Sequence, residues 1–437
     1  MIDTKEFKNR RKRLMDMMGS ESIAILPTAS VSIRNRDVEF PFRPDSDFYY
    51  LTGYSEPEAV VVLIPDRDEG EYILFCRERD EKMETWHGRR SGLQGALEIY
   101  AADDAFPVED MDDILPGLIE GHERVFYNMG SNQNFDQRVL GWVNQIKSNV
   151  RSGAVAPDEF ISLNHFLHEM RLYKSRYEIS LMRKAAKISA KAHKRAMKSC
   201  MPGMYEYQLE GELISEFIKN GARHSAYPAI VGSGANSCIL HYTDNSDAIV
   251  EGDLLLIDSG AEYQCYASDI TRTFPVNGKY TGAQRDIYSL VLAAQKAAID
   301  EIKPGKYWNN PHDAAVKVLT EGLVDLGILK GNIDDLIENE EYTKYYMHRT
   351  GHWLGMDVHD VGDYKLDGEW RMLEAGMVMT VEPGIYLPAS QDLSRELHNI
   401  GVRIEDDVVV TKDGNDVLSK DAPKTINEIE ELMADAA

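Results

Sequence analysis

The chain has 437 residues, 43% of them hydrophobic, enough for two or three domains with sizeable cores and too many for wholesale disorder. Lys and Arg number 48 against 73 Asp and Glu, a formal net charge of −25. A surface this acidic repels nucleic acid and anionic lipid, and points instead to neutral or zwitterionic small molecules, peptides included.

Cys76, Cys200, Cys238 and Cys265 form no CxxC pair, which speaks against a disulfide framework and against a cysteine zinc site. The opening MIDTKEFKNRRKRLMDMMG lacks the apolar stretch of a secretory signal, and apolar runs such as AVVVLIP at 59–65 stay far below membrane-spanning length. The expectation is a soluble protein of a reducing compartment, the cytoplasm.

Residues 4–18 have the spacing of an amphipathic helix, with Phe7, Leu14, Met15 and Met18 on one face and Asp3 with Glu6 as a capping pair. The basic run Lys8–Arg13 on that helix reads as a solvated face. Strand-like runs follow at 22–27, 59–65, 71–76 and 124–128, with helical or loop segments between them, a mixed α/β pattern. Ile179, Met182, Ala186, Ala190 and Met197 recur at helical spacing and predict a long helix, ended by the MPGM of 201–204. A boundary near residue 172 divides the chain into domains 1–172 and 173–437. In the second, strand signals at 253–261, 270–276, 377–388 and 402–411 alternate with helices over 281–302 and 311–326. The acidic, Ala-rich tail 421–437 predicts a fraying helix.

Asp258 follows the apolar LLLI, and Asp269 opens the next strand-like run. If the two runs pair antiparallel through EYQCYA, the carboxylates approach, and one must take a proton or both must share a cation. For this pair alone, a turn Asp and an unrelated surface Asp is the simpler account. Glu382 in VMTVEPGIY and Glu405 in GVRIEDD shift the balance, because each lies at the end of an apolar run. A buried carboxylate is costly unless partnered. His348 and His352 lie in HRTGHWLGMDVHD, where Arg349 replaces the Glu of an HExxH motif and Gly351 and Gly355 argue for a loop or strand. Four carboxylates balance the charge of two divalent cations. Oxygen-rich ligands with one imidazole suit manganese, cobalt or zinc, and two such ions can activate a water molecule.

Asp258, Asp269, His352, Glu382 and Glu405, in this order and these contexts, resemble the dimetal site of the pita-bread metallopeptidases of family M24. The segments NRDVEFPFRPDSDFYYLTGYSEPEAV (35–60) and WHGRRSG (86–92) are similar to the first domain of its aminopeptidase P branch, the Xaa-Pro aminopeptidases. The resemblance implies a mixed α/β N-terminal domain followed by a pita-bread catalytic domain, an α/β (α+β) protein overall. It implies an exopeptidase that releases the first residue ahead of proline, with a metal-bridging hydroxide as nucleophile and manganese the first choice of metal. Asp258 would bind one metal, His352 the other, Asp269 and Glu405 both, and Glu382 would be a ligand that also manages the water's proton. His241 and His359 would contact the oxyanion or the leaving nitrogen, with Arg403 orienting the ligands. His348 and Tyr386 are further substrate-site candidates. Relatives with this first domain form dimers or tetramers, in which Asp37 and Trp86 would reach a neighbour's site, although ordinary packing accounts for Trp86 equally well. Prolidase, a dipeptidase with the same metal set, and a binding protein of this fold that has lost catalysis are the alternatives.

Overall fold

The apolar run Ser22–Pro27 lies inside a six-stranded mixed sheet, in the order Asp104–Pro107, Tyr72–Cys76, Val60–Leu63, Ser22–Pro27, Arg124–Phe126 and Glu159–Ile161. A computed structural model of the protein describes residues 4–435. The chain divides between His168 and Glu169 into two compact units. The sheet belongs to the first, and its fully apolar strands pack against helices Met111–Ile119 and Gln133–Ser148 through Leu115, Ile119, Val139 and Trp142.

The predicted first helix forms over Thr4–Met18 and buries Phe7, Leu14, Met15 and Met18. Asp3, expected to cap it, lies outside the described residues. The basic run on this helix departs from the solvated face expected of it, because Arg10 and Arg11 are buried. Their guanidinium groups lie 4.0 Å from the Tyr50 ring centroid and 3.8 Å from that of Tyr72. Each also donates to a backbone carbonyl, of Tyr50 and Leu51 respectively. Flat, weakly hydrated guanidinium can be buried on an aromatic face where ammonium cannot, so charge alone misled.

In the second unit the long helix runs Arg176–Ser199, opened by a capping box of Ser175 and Glu178. Helices Gly282–Asp300 and Asn310–Asp325 form where expected. Strand Leu254–Asp258 is central in a three-stranded antiparallel sheet, between Ile230–Ser233 and Thr271–Pro275. The two later strand signals each break in two. Val378–Val381 and Gly384–Leu387 join different sheets, as do Ile400–Arg403 and Asp406–Val410. Pro383 has no N–H to continue a ladder, and the Glu405 N–H turns aside to the Thr271 carbonyl. Glu382 and Glu405 therefore occupy the two points where the chain crosses between sheets.

The tail is packed rather than frayed. Helix Ile426–Ala434 buries Ile429 and Met433, and Lys279 and Arg285 clamp its Glu430 at 2.8 and 2.7 Å. Among the described residues, no helix is long and apolar enough to cross a membrane.

Candidate metal centre

Asp258 is the last residue of its strand, in register with Thr271 on one side and Ile230 on the other. Asp269 lies two residues before strand Thr271–Pro275, its N–H directed at the Asp407 carboxylate. The two aspartates do approach, and a third group stands between them. The Tyr227 hydroxyl is 2.6 Å from Asp258 Oδ1 and also contacts Asp269 Oδ1. One hydroxyl has one proton, so it can serve only one of these oxygens at a time.

Ligand atoms of Asp269, His352 and Glu405 all lie within 4.8 Å of one another. His352 Nε2 lies 3.4 Å from Asp269 Oδ2 and 3.5 Å from Glu382 Oε1. Its Nδ1–H donates to the Trp353 carbonyl at 2.9 Å, which turns Nε2 toward the acids, as in imidazole ligands generally. Thr380 Oγ1 accepts from the His352 N–H and donates to Glu382, fixing both.

The electrostatics show a deficit of positive charge. Burial pushes the Glu405 carboxyl well above the usual range, and Asp269, Glu382 and Asp258 push it further. Glu382 and Asp258 are raised too, by burial first, although the cations nearby oppose it. Burial alone would lift Asp269 as well, but hydrogen bonding to His352 pulls it below its ordinary value. His352 is itself lifted to about 9, because Asp269 and Glu382 outweigh the effect of its burial. Four clustered acids, Asp269 and Glu405 buried and Asp258 and Glu382 partly so, facing only Arg403 and His352 as cations, make a donor set that suits divalent ions, and oxygen donors with one imidazole fit such ions.

Arg403 orients this cluster. Its Nη2 donates to Asp258 Oδ2 at 2.7 Å, its Nε to Thr271 Oγ1 at 3.1 Å, and its Nη1 to the Tyr386 hydroxyl at 2.9 Å. Thr271 in turn donates to Glu405 Oε2 at 2.6 Å. The Tyr386 hydroxyl also meets His348 Nε2 at 2.8 Å. Burial lowers His348 to about 4, so it is neutral and accepts that bond. His359 packs edge-to-face on His352, with ring centroids 4.4 Å apart. Burial and the charge of His352 lower its pKa, and His241 is near enough to depress both His348 and His359.

The structure thus brings together Asp258, Asp269, His352, Glu382, Glu405, Arg403, His348, Tyr386, His359 and His241. Asp37 and Trp86 belong to the first unit, Asp37 in the turn after Ile33–Asn35 and Trp86 on helix Glu81–His87. Trp86 is 77% exposed, which excludes ordinary packing. Sequence reasoning missed Tyr227, Thr271 and Thr380, whose spacing carries no signal.

Residues 180–412 match the profile of metallopeptidase family M24, and residues 7–127 match the aminopeptidase P N-terminal domain. The chain belongs to metallopeptidase family M24. Among its M24 relatives, the Xaa-Pro aminopeptidase of Escherichia coli is 44% identical, over 100% of this chain and 99% of that one. That of Haemophilus influenzae is 43% identical, over 99% and 98%. The solved Pseudomonas aeruginosa aminopeptidase PepP superposes with a TM-score of 0.99 at 58% identity, covering 100% of this chain and 99% of that one. A substrate complex of Escherichia coli aminopeptidase P superposes with a TM-score of 0.97 at 44% identity, with the same coverage. The second unit accordingly has the M24 pita-bread fold, preceded by a first unit of the aminopeptidase P type.

Proposed function

We propose that this M24 protein is an Xaa-Pro aminopeptidase, which hydrolyses the N-terminal Xaa-Pro bond and releases the first residue of peptides with proline second. The observation that carries the reading is the convergence of Asp258, Asp269, His352, Glu382 and Glu405 in one partly buried, cation-deficient cluster, in a chain whose first unit is of the aminopeptidase P type. These five residues would hold two divalent ions, manganese first among them. Bound ions supply Lewis acidity and lower the pKa of water.

The chain's own groups supply the rest. Glu382, steadied by Thr380, takes the proton of the attacking water. An Xaa-Pro bond is a tertiary amide with no N–H, so the departing proline nitrogen must be given a proton. His241 and His359 stand beside the cluster to deliver it or to hydrogen-bond the developing oxyanion. His348 and Tyr386 line the substrate side through Arg403. The protein acts as a homodimer or homotetramer, in which Asp37 and Trp86 contact peptide bound to a neighbouring copy.

The test is product analysis on metal-stripped protein reloaded with manganese and offered Ala-Pro-Ala, Ala-Ala-Ala and Ala-Pro. Manganese-dependent release of Ala from the first alone is expected. Cleavage of the dipeptide alone would make the protein a prolidase, and no cleavage with any divalent metal would remove the catalytic reading.

A further inference from the structure

His241 stands on an irregular surface segment between strand Ile230–Ser233 and strand Leu254–Asp258, whose one regular piece is the short turn Gly234–Cys238. Ile239 and His241 are exposed, so packing of their own side chains does not hold the segment. Tyr242 packs with Ile230, Leu256 and Tyr386, Leu240 lies against them, and a set of polar ties lies underneath. Glu206, the first residue of helix Glu206–Lys219, is fully buried. Its Oε1 accepts from the Ser233 N–H at 2.8 Å and from Asn236 Nδ2 at 3.0 Å. Its Oε2 accepts from the Tyr242 hydroxyl at 2.7 Å and from the Asp247 N–H at 3.0 Å.

One carboxylate thus ties the start, the turn, the residue beside His241 and the end of the segment to a single point. Among the described residues no Lys or Arg pairs with Glu206. Its charge is met by neutral donors and by the N-terminus of its own helix, where the macrodipole favours an anion. A second staple supports the first. Asn245, buried with φ +47, accepts from the Val231 N–H at 2.9 Å and donates to the Ala229 carbonyl at 2.9 Å. A buried carboxylate with four donors is expensive to assemble and far more directional than an apolar plug, so its use here implies that the segment must be held in one conformation.

We propose that Glu206 is a positioning residue for His241, fixing through Tyr242 and the 233–247 segment where that imidazole meets the peptide. The proposal rests on the reading of His241 as a substrate-contacting group. Glu206→Gln keeps the shape and helix but replaces two accepting oxygens by one oxygen and an NH2 group, which cannot accept four hydrogen bonds.

The experiment is a double-mutant cycle on manganese-loaded protein, with kcat on Ala-Pro-Ala, metal content and amide exchange of the 233–247 peptides read together. Glu206→Gln is expected to lower kcat about 10–100-fold at unchanged metal content and to speed exchange at Ser233 and Asp247. In the His241→Gln background it should cost nothing further. Tyr242→Phe, which removes one donor, should show the same coupling with a smaller loss, and it carries the test if Glu206→Gln does not fold. An equal loss in both backgrounds, or full activity despite faster exchange, would overturn the proposal. If His241→Gln is as active as wild type, the proposal falls together with the reading of His241, and that outcome is recognisable before Glu206 is changed.

Discussion

The Arg403 guanidinium reaches Asp258 at 2.7 Å through Nη2 while its other nitrogens reach Tyr386 and Thr271. One planar group therefore sets an acid of the cluster, the buried Tyr386 hydroxyl and, through Thr271, the Glu405 carboxylate. Lysine has the charge without the fork and cannot span three acceptors. Arg403→Lys is expected to lower kcat about 10–100-fold and to weaken manganese retention. Wild-type kcat and metal content in that variant would show that charge alone suffices.

The metal-free cluster should bind its ions in competition with protons. His352, lifted to about 9, is an imidazolium at neutral pH and stands where positive charge is needed. An imidazole must lose its proton to become a ligand, so affinity should rise with pH until about 9 and level off. The linkage has the opposite sign for the empty protein. A raised histidine pKa contributes stability that is complete below 6.5 and is lost as pH rises through about 9. Manganese titrations by calorimetry, in two buffers of different ionisation enthalpy, should reveal at least one proton released per protein molecule filled. Heats independent of the buffer would contradict this.

The four acids were legible as candidates because each stands at an end of an apolar run, whereas His352, in a glycine-flanked segment, was singled out by the resemblance to family M24. The exact role of each run was not. The stretch 377–388 reads as one strand, yet Pro383 breaks it and sends its halves to different sheets. Tyr227 was invisible for a related reason. It joins Asp258 and Asp269 across 31 and 42 residues of chain, and no local period encodes such a contact. Arg10 and Arg11 were misread because burial on an aromatic face depends on Tyr50 and Tyr72, about forty and sixty residues away.

His193 offers a second pH test, on a residue bonded to the chain beside Asp258. It is buried on the long helix, with Nε2 3.0 Å from the Ser259 carbonyl, and burial lowers it to about 4. Below pH 6.5 the unfolded chain takes up a proton that the native imidazole refuses, so stability falls as the pH drops from 6.5 to about 4. Over that window the loss amounts to about 3 kcal/mol. His193→Gln can keep the donor to Ser259 while removing the titration. Urea unfolding at pH 7 and pH 5 should show a smaller acid loss in the variant than in wild type, and identical losses would place the acid sensitivity elsewhere.

Gly351 is fixed by contact rather than by backbone angle. A Cβ there would stand 2.0 Å from the Thr380 carbonyl oxygen. The same two chain segments are joined by the Thr380 N–H to the His352 carbonyl and by the His352 N–H to Thr380 Oγ1. Gly351→Ala must push them apart and carry His352 with them. Overpacking of this kind costs about 1–3 kcal/mol. The expected result is a lowered melting temperature together with lost manganese, and a variant that keeps both would mean the segment yields without moving the ligand.

Trp86 separates stability from substrate handling. With 77% of its surface exposed, the indole contributes little to the fold of its own unit, so Trp86→Ala should leave the melting temperature close to wild type. A large exposed aromatic is costly to display and is characteristic of surfaces that meet another molecule. If that molecule is peptide bound to a neighbouring copy, the variant should raise KM progressively from tripeptide to longer substrates while manganese content stays the same. A KM change confined to the tripeptide would place Trp86 near the scissile bond instead. Unchanged kinetics at every length would remove Trp86 from peptide recognition, and a shift in sedimentation alone would assign it to subunit contact.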